Sequence, residues 1–242
     1  MTFQINNPQN FEAVERMSDG MRSYFGRIYN YMACGLILSG LMAYLTVHTP
    51  LINLFYTQTA EGIQNSILGI IAMIAPLVLV FMISSSINRL NTARAQGLFW
   101  LFSALMGISF SNIFLMFSGT SIFQAFLITA GMFAGLSLYG YTTGRSLAGW
   151  GSFLIMGLVG VILASIVNIF LHSSALDFGL SVLSVFIFIG LTAYDTQKLK
   201  LMYNESNDEA VTQGQAISGA LALYLDFINL FLLVLRFMNN RR

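Results

Sequence analysis

Apolar residues run along this chain in blocks too long for the core of a soluble fold, and short polar stretches separate them. A helix crossing the hydrocarbon layer of a bilayer needs about 20 mostly apolar residues. Windows of that kind fill Ile28 to Val47, Ile67 to Ile83, Leu98 to Phe117, Ile122 to Tyr141, Phe153 to Leu171 and Phe178 to Tyr194. A seventh block, Ala216 to Met238, carries Asp226 and Arg236, charges that a lipid-facing surface does not tolerate cheaply. It is therefore expected as a central span enclosed by the other six. The pattern predicts an all-α integral membrane protein of seven transmembrane helices. An N-terminal tail covers residues 1–27, the membrane domain 28–238 and a short C-terminal tail 239–242. The connections are short, apart from that first tail and the stretch from Thr196 to Gln215.

Composition agrees with the pattern. Of 242 residues, 56% are hydrophobic and only 9% charged, with a mean hydropathy of +0.73; soluble domains carry about 25% charged residues. The formal net charge of +1 provides no basic surface for a nucleic-acid backbone. One cysteine, Cys34, builds neither a disulfide framework nor a thiolate metal cluster. The polar start of the chain has no apolar core and does not read as a cleavable signal peptide.

Charge also predicts orientation. Arg16, Arg22, Arg27, Arg89, Arg94, Arg145, Lys198 and Lys200 all fall on one side of the six clear spans, and the intervening loops near Glu61, Gly119 and His172 carry no Lys or Arg. By the positive-inside rule the N-terminus is cytoplasmic. Arg241 and Arg242 then finish outside if the last segment crosses fully, which is the expectation; a re-entrant hairpin is the alternative. Trp100 and Trp150 suit headgroup anchoring. Gly131 and Gly135 form a small-xxx-small spacing that predicts close helix packing within the molecule.

The candidate chemistry lies in two acidic residues, because a carboxylate in a membrane usually marks an ion path or proton relay. Asp195 follows the apolar run that ends at Tyr194, and Asp226 lies about 10 Å along the seventh span from Gly219. Two carboxylates in one low-dielectric site cannot both ionise easily, so the pair shares a proton and titrates in two coupled steps. Such a pair is a pH sensor that latches helix six to helix seven and opens when the proton leaves. The opened carboxylates attract cations, calcium being the plausible one, in transient passage only, since calcium takes 6 to 8 oxygens. The alternative is structural: Asp195 caps a helix end and Asp226 bonds a neighbouring helix. Tyr194, Gln197, Tyr224 and Asn229 stand near the pair in sequence, and Arg89 sits on the same side as Asp195. Arg236, about 15 Å beyond Asp226, cannot reach it. His48 and His172 have no spaced partner that would read as a zinc site, and neither a phosphate-cradling glycine loop nor a nucleophile elbow is present. An intramembrane aspartyl protease is disfavoured because Leu225, not glycine, precedes Asp226. No cofactor is called for.

Ala193-Tyr194-Asp195-Thr196-Gln197, the run Leu223-Tyr224-Leu225-Asp226-Phe227-Ile228-Asn229-Leu230-Phe231, and Leu235-Arg236-Phe237 together resemble the Bax inhibitor-1 family. The stretches GMFAGLSLYGYTT (Gly131 to Thr143) and Gly151-Ser152-Phe153-Leu154 resemble its bacterial YccA-like branch. The resemblance runs from about Tyr24 to the end. It implies a seven-helix fold around the last helix and a pH-sensitive calcium leak in a bacterial inner membrane. Asp195 and Asp226 would be the paired sensor aspartates, and Arg236 a structural or gating residue. The second helix departs from the pattern of the family's bacterial calcium-leak members, which carry an acidic residue and an arginine cluster there. Here Ile70 to Leu90 holds Pro76 and Ser84 to Ser86, with Arg89 its one basic residue. The YccA-like branch also implies an alternative role, as a modulator of a membrane-anchored ATP-dependent protease engaged through the polar segment Met1 to Ser23.

Overall fold

The computed structural model describes residues 8–59, 62–88, 91–204 and 207–239. The described helices are α1 (Pro8–His48), α2 (Ile52–Phe55), α3 (Ile67–Asn88), α4 (Thr92–Ser109), α5 (Ser111–Met116), α6 (Gly119–Thr142), α7 (Ala148–Leu171), α8 (Ser174–Met202) and α9 (Glu209–Asn239). Among the described residues, seven helical stretches are long and apolar enough to cross a membrane. One of them is α4 and α5 together, interrupted at Phe110, where the backbone leaves helical geometry. Between α2 and α3 lies a small antiparallel hairpin, β1 (Tyr56–Thr59) with β2 (Gly62–Asn65), pairing Tyr56 with Asn65 and Thr59 with Gly62.

The last helix is the most buried. Within its most apolar window 61% of residues are buried, against 11% for α7 and 39% at most elsewhere. It packs on α1, α3, α4, α6 and α8, while α7 packs mainly on α8. The helix is continuous over 31 residues, about 46 Å long at 1.5 Å per residue, more than a hydrocarbon layer of about 30 Å requires. The re-entrant alternative is thereby set aside. Large apolar side chains such as Phe81 and Phe170 point outward, as a lipid-facing surface requires.

Three findings differ from the sequence expectations. The first is that α1 is helical from Pro8, well inside the expected tail, and Tyr24 and Phe25 belong to the core. The polar composition hid this because Tyr24, Phe25, Ile28 and Met32 recur at three- and four-residue spacing, leaving Arg22 and Arg27 on other faces. The second is that α8 continues to Met202, so Asp195 stands inside the helix and does not cap its end. The third concerns glycines. A Cβ at Gly131 or Gly135 would meet nothing within 4 Å, and the close approach on α6 falls at Gly140, where a Cβ would lie 2.3 Å from the Ala193 carbonyl oxygen of α8.

Pro76 inside α3 has no N–H and so frees the carbonyl of Ala72, a liability where no water is available. The Ser109 hydroxyl of α4 donates to that carbonyl at 2.6 Å. Sequence puts these two residues in different spans, and packing makes one satisfy the other.

Candidate functional site

Asp195 on α8 and Asp226 on α9 lie on helices packed against each other. Gly140 brings α6 against the backbone of α8 at Ala193, and Gly151 of α7 leaves room for the Tyr194 ring, whose Cζ would be 2.3 Å from any Cβ there. Asp195, on the helix so held, is partly buried. Asp226 is 5% exposed, and its Oδ2 is buried with no hydrogen-bond partner. The two carboxyl groups lie within electrostatic reach of each other, and Lys198, one turn from Asp195, is the cation that acts on it. A buried, unpartnered carboxylate oxygen beside a second carboxyl is costly unless a proton or a cation joins the pair. Among the described residues no group of three His, Cys, Asp or Glu side chains could hold a metal ion. The pair can carry a proton or attract a passing cation, and it cannot complete a calcium shell.

Two hydroxyl chains flank the pair. On one side Tyr29 of α1 bonds Ser137 of α6, Ser137 lies 3.0 Å from the Thr196 hydroxyl, and Thr196 donates to the Thr192 carbonyl at 2.9 Å. Each hydroxyl has one proton, so the donors run in a single direction from Tyr29 to α8. On the other side Tyr224, two residues before Asp226, bonds Ser39 of α1 at 2.7 Å. The one Ser39 proton is shared between the carbonyls of Ser103 at 2.6 Å and Gly35 at 2.9 Å, so Ser39 accepts from the Tyr224 hydroxyl. These chains fix α8 and α9 against α1, α4 and α6 within two residues of each aspartate along its helix.

The other residues singled out from sequence do not join the pair. Gln197 accepts from the Leu147 N–H at 2.7 Å and donates to the Arg145 carbonyl at 2.8 Å, clamping the α6–α7 loop. Asn229 donates back to the Leu225 carbonyl of its own helix at 2.7 Å. Tyr194 is a packing residue against Gly151. Arg236 works at the far end of α9, where its guanidinium lies 3.4 Å from Asp177 and donates to Ser181 at 2.9 Å. Arg89 lies outside the described residues. Sequence reasoning missed Asp177, because a carboxylate in the first turn of a helix reads as a dipole partner. It missed Ser39, Ser137 and Thr196 because lone hydroxyls in apolar runs carry no spacing signal.

The chain is similar over most of its length to bacterial membrane proteins. The family model described as "Inhibitor of apoptosis-promoting Bax1" matches residues 21–242. A Rickettsia prowazekii protein is 44% identical over 225 residues, covering 93% of this chain and 92% of its own. The inner membrane protein YbhL of Escherichia coli is 42% identical over 226 residues, covering 92% and 94%. A membrane protein of Streptococcus pyogenes is 37% identical over 217 residues, covering 90% and 92%.

Proposed function

The chain belongs to the Bax inhibitor-1 family, and from that premise we propose that it is a pH-sensitive cation leak gated by the Asp195–Asp226 pair. Calcium is the cation of this reading, and a bacterial inner membrane with the N-terminus in the cytoplasm is its setting. The observation that supports it most is the unpartnered, buried Oδ2 of Asp226 beside a second carboxyl group. At low pH the pair shares a proton and α8 is latched to α9. As pH rises the proton leaves, and two like charges at about 4 Å in a protein environment repel by roughly 4 kcal/mol. Flux therefore rises with pH. Lys198 moderates the repulsion from the solvent side. No residue is assigned a catalytic role.

The test is calcium entry into dye-loaded liposomes holding the purified protein, scanned from acid to neutral pH. The parent should leak more as pH rises, and Asp226→Asn should flatten that dependence. An unchanged profile in Asp226→Asn removes the pair from the mechanism.

A second reading, modulation of a membrane-anchored ATP-dependent protease, rests on the polar segment Met1 to Ser23, which α1 anchors to the core through Tyr24 and Phe25. Deleting residues 1–18 should then abolish protease inhibition in membranes and leave the bundle folded. Inhibition that survives the deletion excludes engagement through this segment.

A further inference from the structure

We infer that Ile28 and Leu199, closed over Gly219, form the constriction of the pathway, with a polar vestibule on the Lys198 side and the aspartate pair behind it. The inference rests on the leak reading and adds to it the narrowest point and the residues that make it.

Residues one helical turn apart stack in register on three helices. On α1, Tyr24 is followed four residues later by Ile28. On α8, Asp195 is followed four residues later by Leu199, and Tyr203, the residue after the helix end, comes at the same interval. On α9, Gln215 and Gly219 are one turn apart and Asp226 follows two turns later, all three within about 40° of one another around the helix axis at 3.6 residues per turn. Cross-helix contacts join these positions into layers. The Tyr24 and Tyr203 rings are 5.3 Å apart. A Cβ built at Gly219 would lie 2.7 Å from Leu199 Cδ2 and 3.2 Å from Ile28 Cδ1. Asp195 lies one turn beyond this contact on α8 and Asp226 two turns beyond it on α9, within electrostatic reach of each other.

The layers alternate in chemistry. In the first, the Tyr24 hydroxyl and Gln215 Oε1 are buried without a protein hydrogen-bond partner. In the third, Asp226 Oδ2 is in the same condition. The middle layer offers no polar side chain: Ile28 and Leu199 are buried apolar residues, and Gly219 contributes only backbone. Buried polar atoms call for water with two to four polar neighbours, and an apolar layer supplies none. A file of water serving Tyr24 and Gln215 is therefore interrupted at Leu199, and a hydrophobic break of this kind blocks a hydrated ion by dewetting. Glycine at position 219 is what allows closure, since a side chain there would fill the space into which Leu199 and Ile28 press. Leu199 stands one turn from Asp195 on the same helix. A movement of α8 that separates the carboxylates also withdraws Leu199 from Gly219, so one displacement opens both layers.

The experiment places a reporter thiol behind the constriction. Asp226→Cys is made in a Cys34→Ser chain, reconstituted in liposomes, and labelled with a membrane-impermeant cationic methanethiosulfonate from the Lys198 side. Adding Leu199→Ala, which removes three side-chain carbons, should raise the labelling rate about tenfold, equivalent to about 1.4 kcal/mol off the barrier, while Leu199→Met stays within about twofold of the parent. Ile28→Val provides a milder opening should Leu199→Ala fail to fold, with a smaller acceleration expected. Labelling unchanged by both openings, in protein that still melts cooperatively, overturns the constriction. Calcium entry is measured in parallel through Leu199→Ala with Asp226 intact. Faster labelling without calcium entry upholds the constriction and removes calcium from the leak reading.

Discussion

Replacing Gly140 by alanine is expected to wedge α6 away from α8 and disturb the candidate site from a distance. The new Cβ would lie 2.3 Å from the Ala193 carbonyl oxygen, 3.0 Å from its carbonyl carbon and 3.1 Å from its Cα. All three are backbone atoms, which cannot turn aside as a side-chain tip can. The helices must separate by about 1 Å to restore ordinary contact, and overpacking of this kind costs about 1–3 kcal/mol. A second term has the opposite sign, because alanine is preferred to glycine inside a helix by about 1 kcal/mol. Gly135, in the interior of the same helix, serves as the reference: its Cβ would meet nothing within 4 Å. Gly140 lies in the last turn of α6, where the propensity gain is smaller than at Gly135, so the difference between the variants is dominated by the packing term. Gly140→Ala should melt below Gly135→Ala in detergent micelles by about 2–12 °C, at 2–4 °C per kcal/mol for a chain of this size. The separation also stretches the 3.0 Å bond between Ser137 and Thr196, next to Asp195, so the pH profile of flux should shift in Gly140→Ala and hold in Gly135→Ala. Equal melting temperatures for the two variants would refute the close approach of α6 and α8.

Other substitutions test single contacts. Ser109→Ala should lower stability by about 1–3 kcal/mol, because it leaves the Ala72 carbonyl freed by Pro76 unsatisfied; Pro76→Ala in the same chain should recover most of that loss in a thermal melt. Tyr224→Phe should be milder, about 1 kcal/mol, since Ser39 keeps two carbonyl acceptors, and a melt indistinguishable from Ser39→Ala would show that the two hydroxyls act as one unit. Asp177→Asn should shift the melting temperature by an amount equivalent to no more than about 1 kcal/mol, because the Arg236 pair is 52% and 45% exposed; added salt should weaken the effect, and a larger salt-independent loss would contradict the exposed geometry.

Much of the architecture was legible because the bilayer imposes a length rule, and each expected apolar window overlaps a helical stretch long enough to cross, one of them broken at Phe110. Asp195 and Asp226 were legible for a related reason: carboxylates are scarce in apolar sequence, so two of them stand out. What pairs with what was harder to read. The spacing of Gly131 and Gly135 says that one face of α6 is smooth, but says nothing about whether that face meets protein or lipid, and Gly140 alone gives no periodic signal. Arg236 was correctly excluded from Asp226 by the rise of the helix, yet its partner Asp177 lies on another span, and no distance along the chain reveals it. The interruption at Phe110 and the hairpin after α2 arise in strongly apolar or weakly patterned stretches, where helix and non-helix look alike. The buried Tyr24 and Phe25 escaped because they stand between charged residues, with Arg22 and Arg27 close on either side.

The amide of Gln197 gives the surface of this protein a view of its interior. It stands two residues beyond Asp195 and holds the main chain at both Arg145 and Leu147. Any turn of α8 that swings Asp195 must either drag the α6–α7 loop along or tear it loose, so the loop follows the carboxylates as a needle follows a dial. Under the proposed latch, a binder raised against that loop would distinguish the closed arrangement from the open one without touching the aspartates.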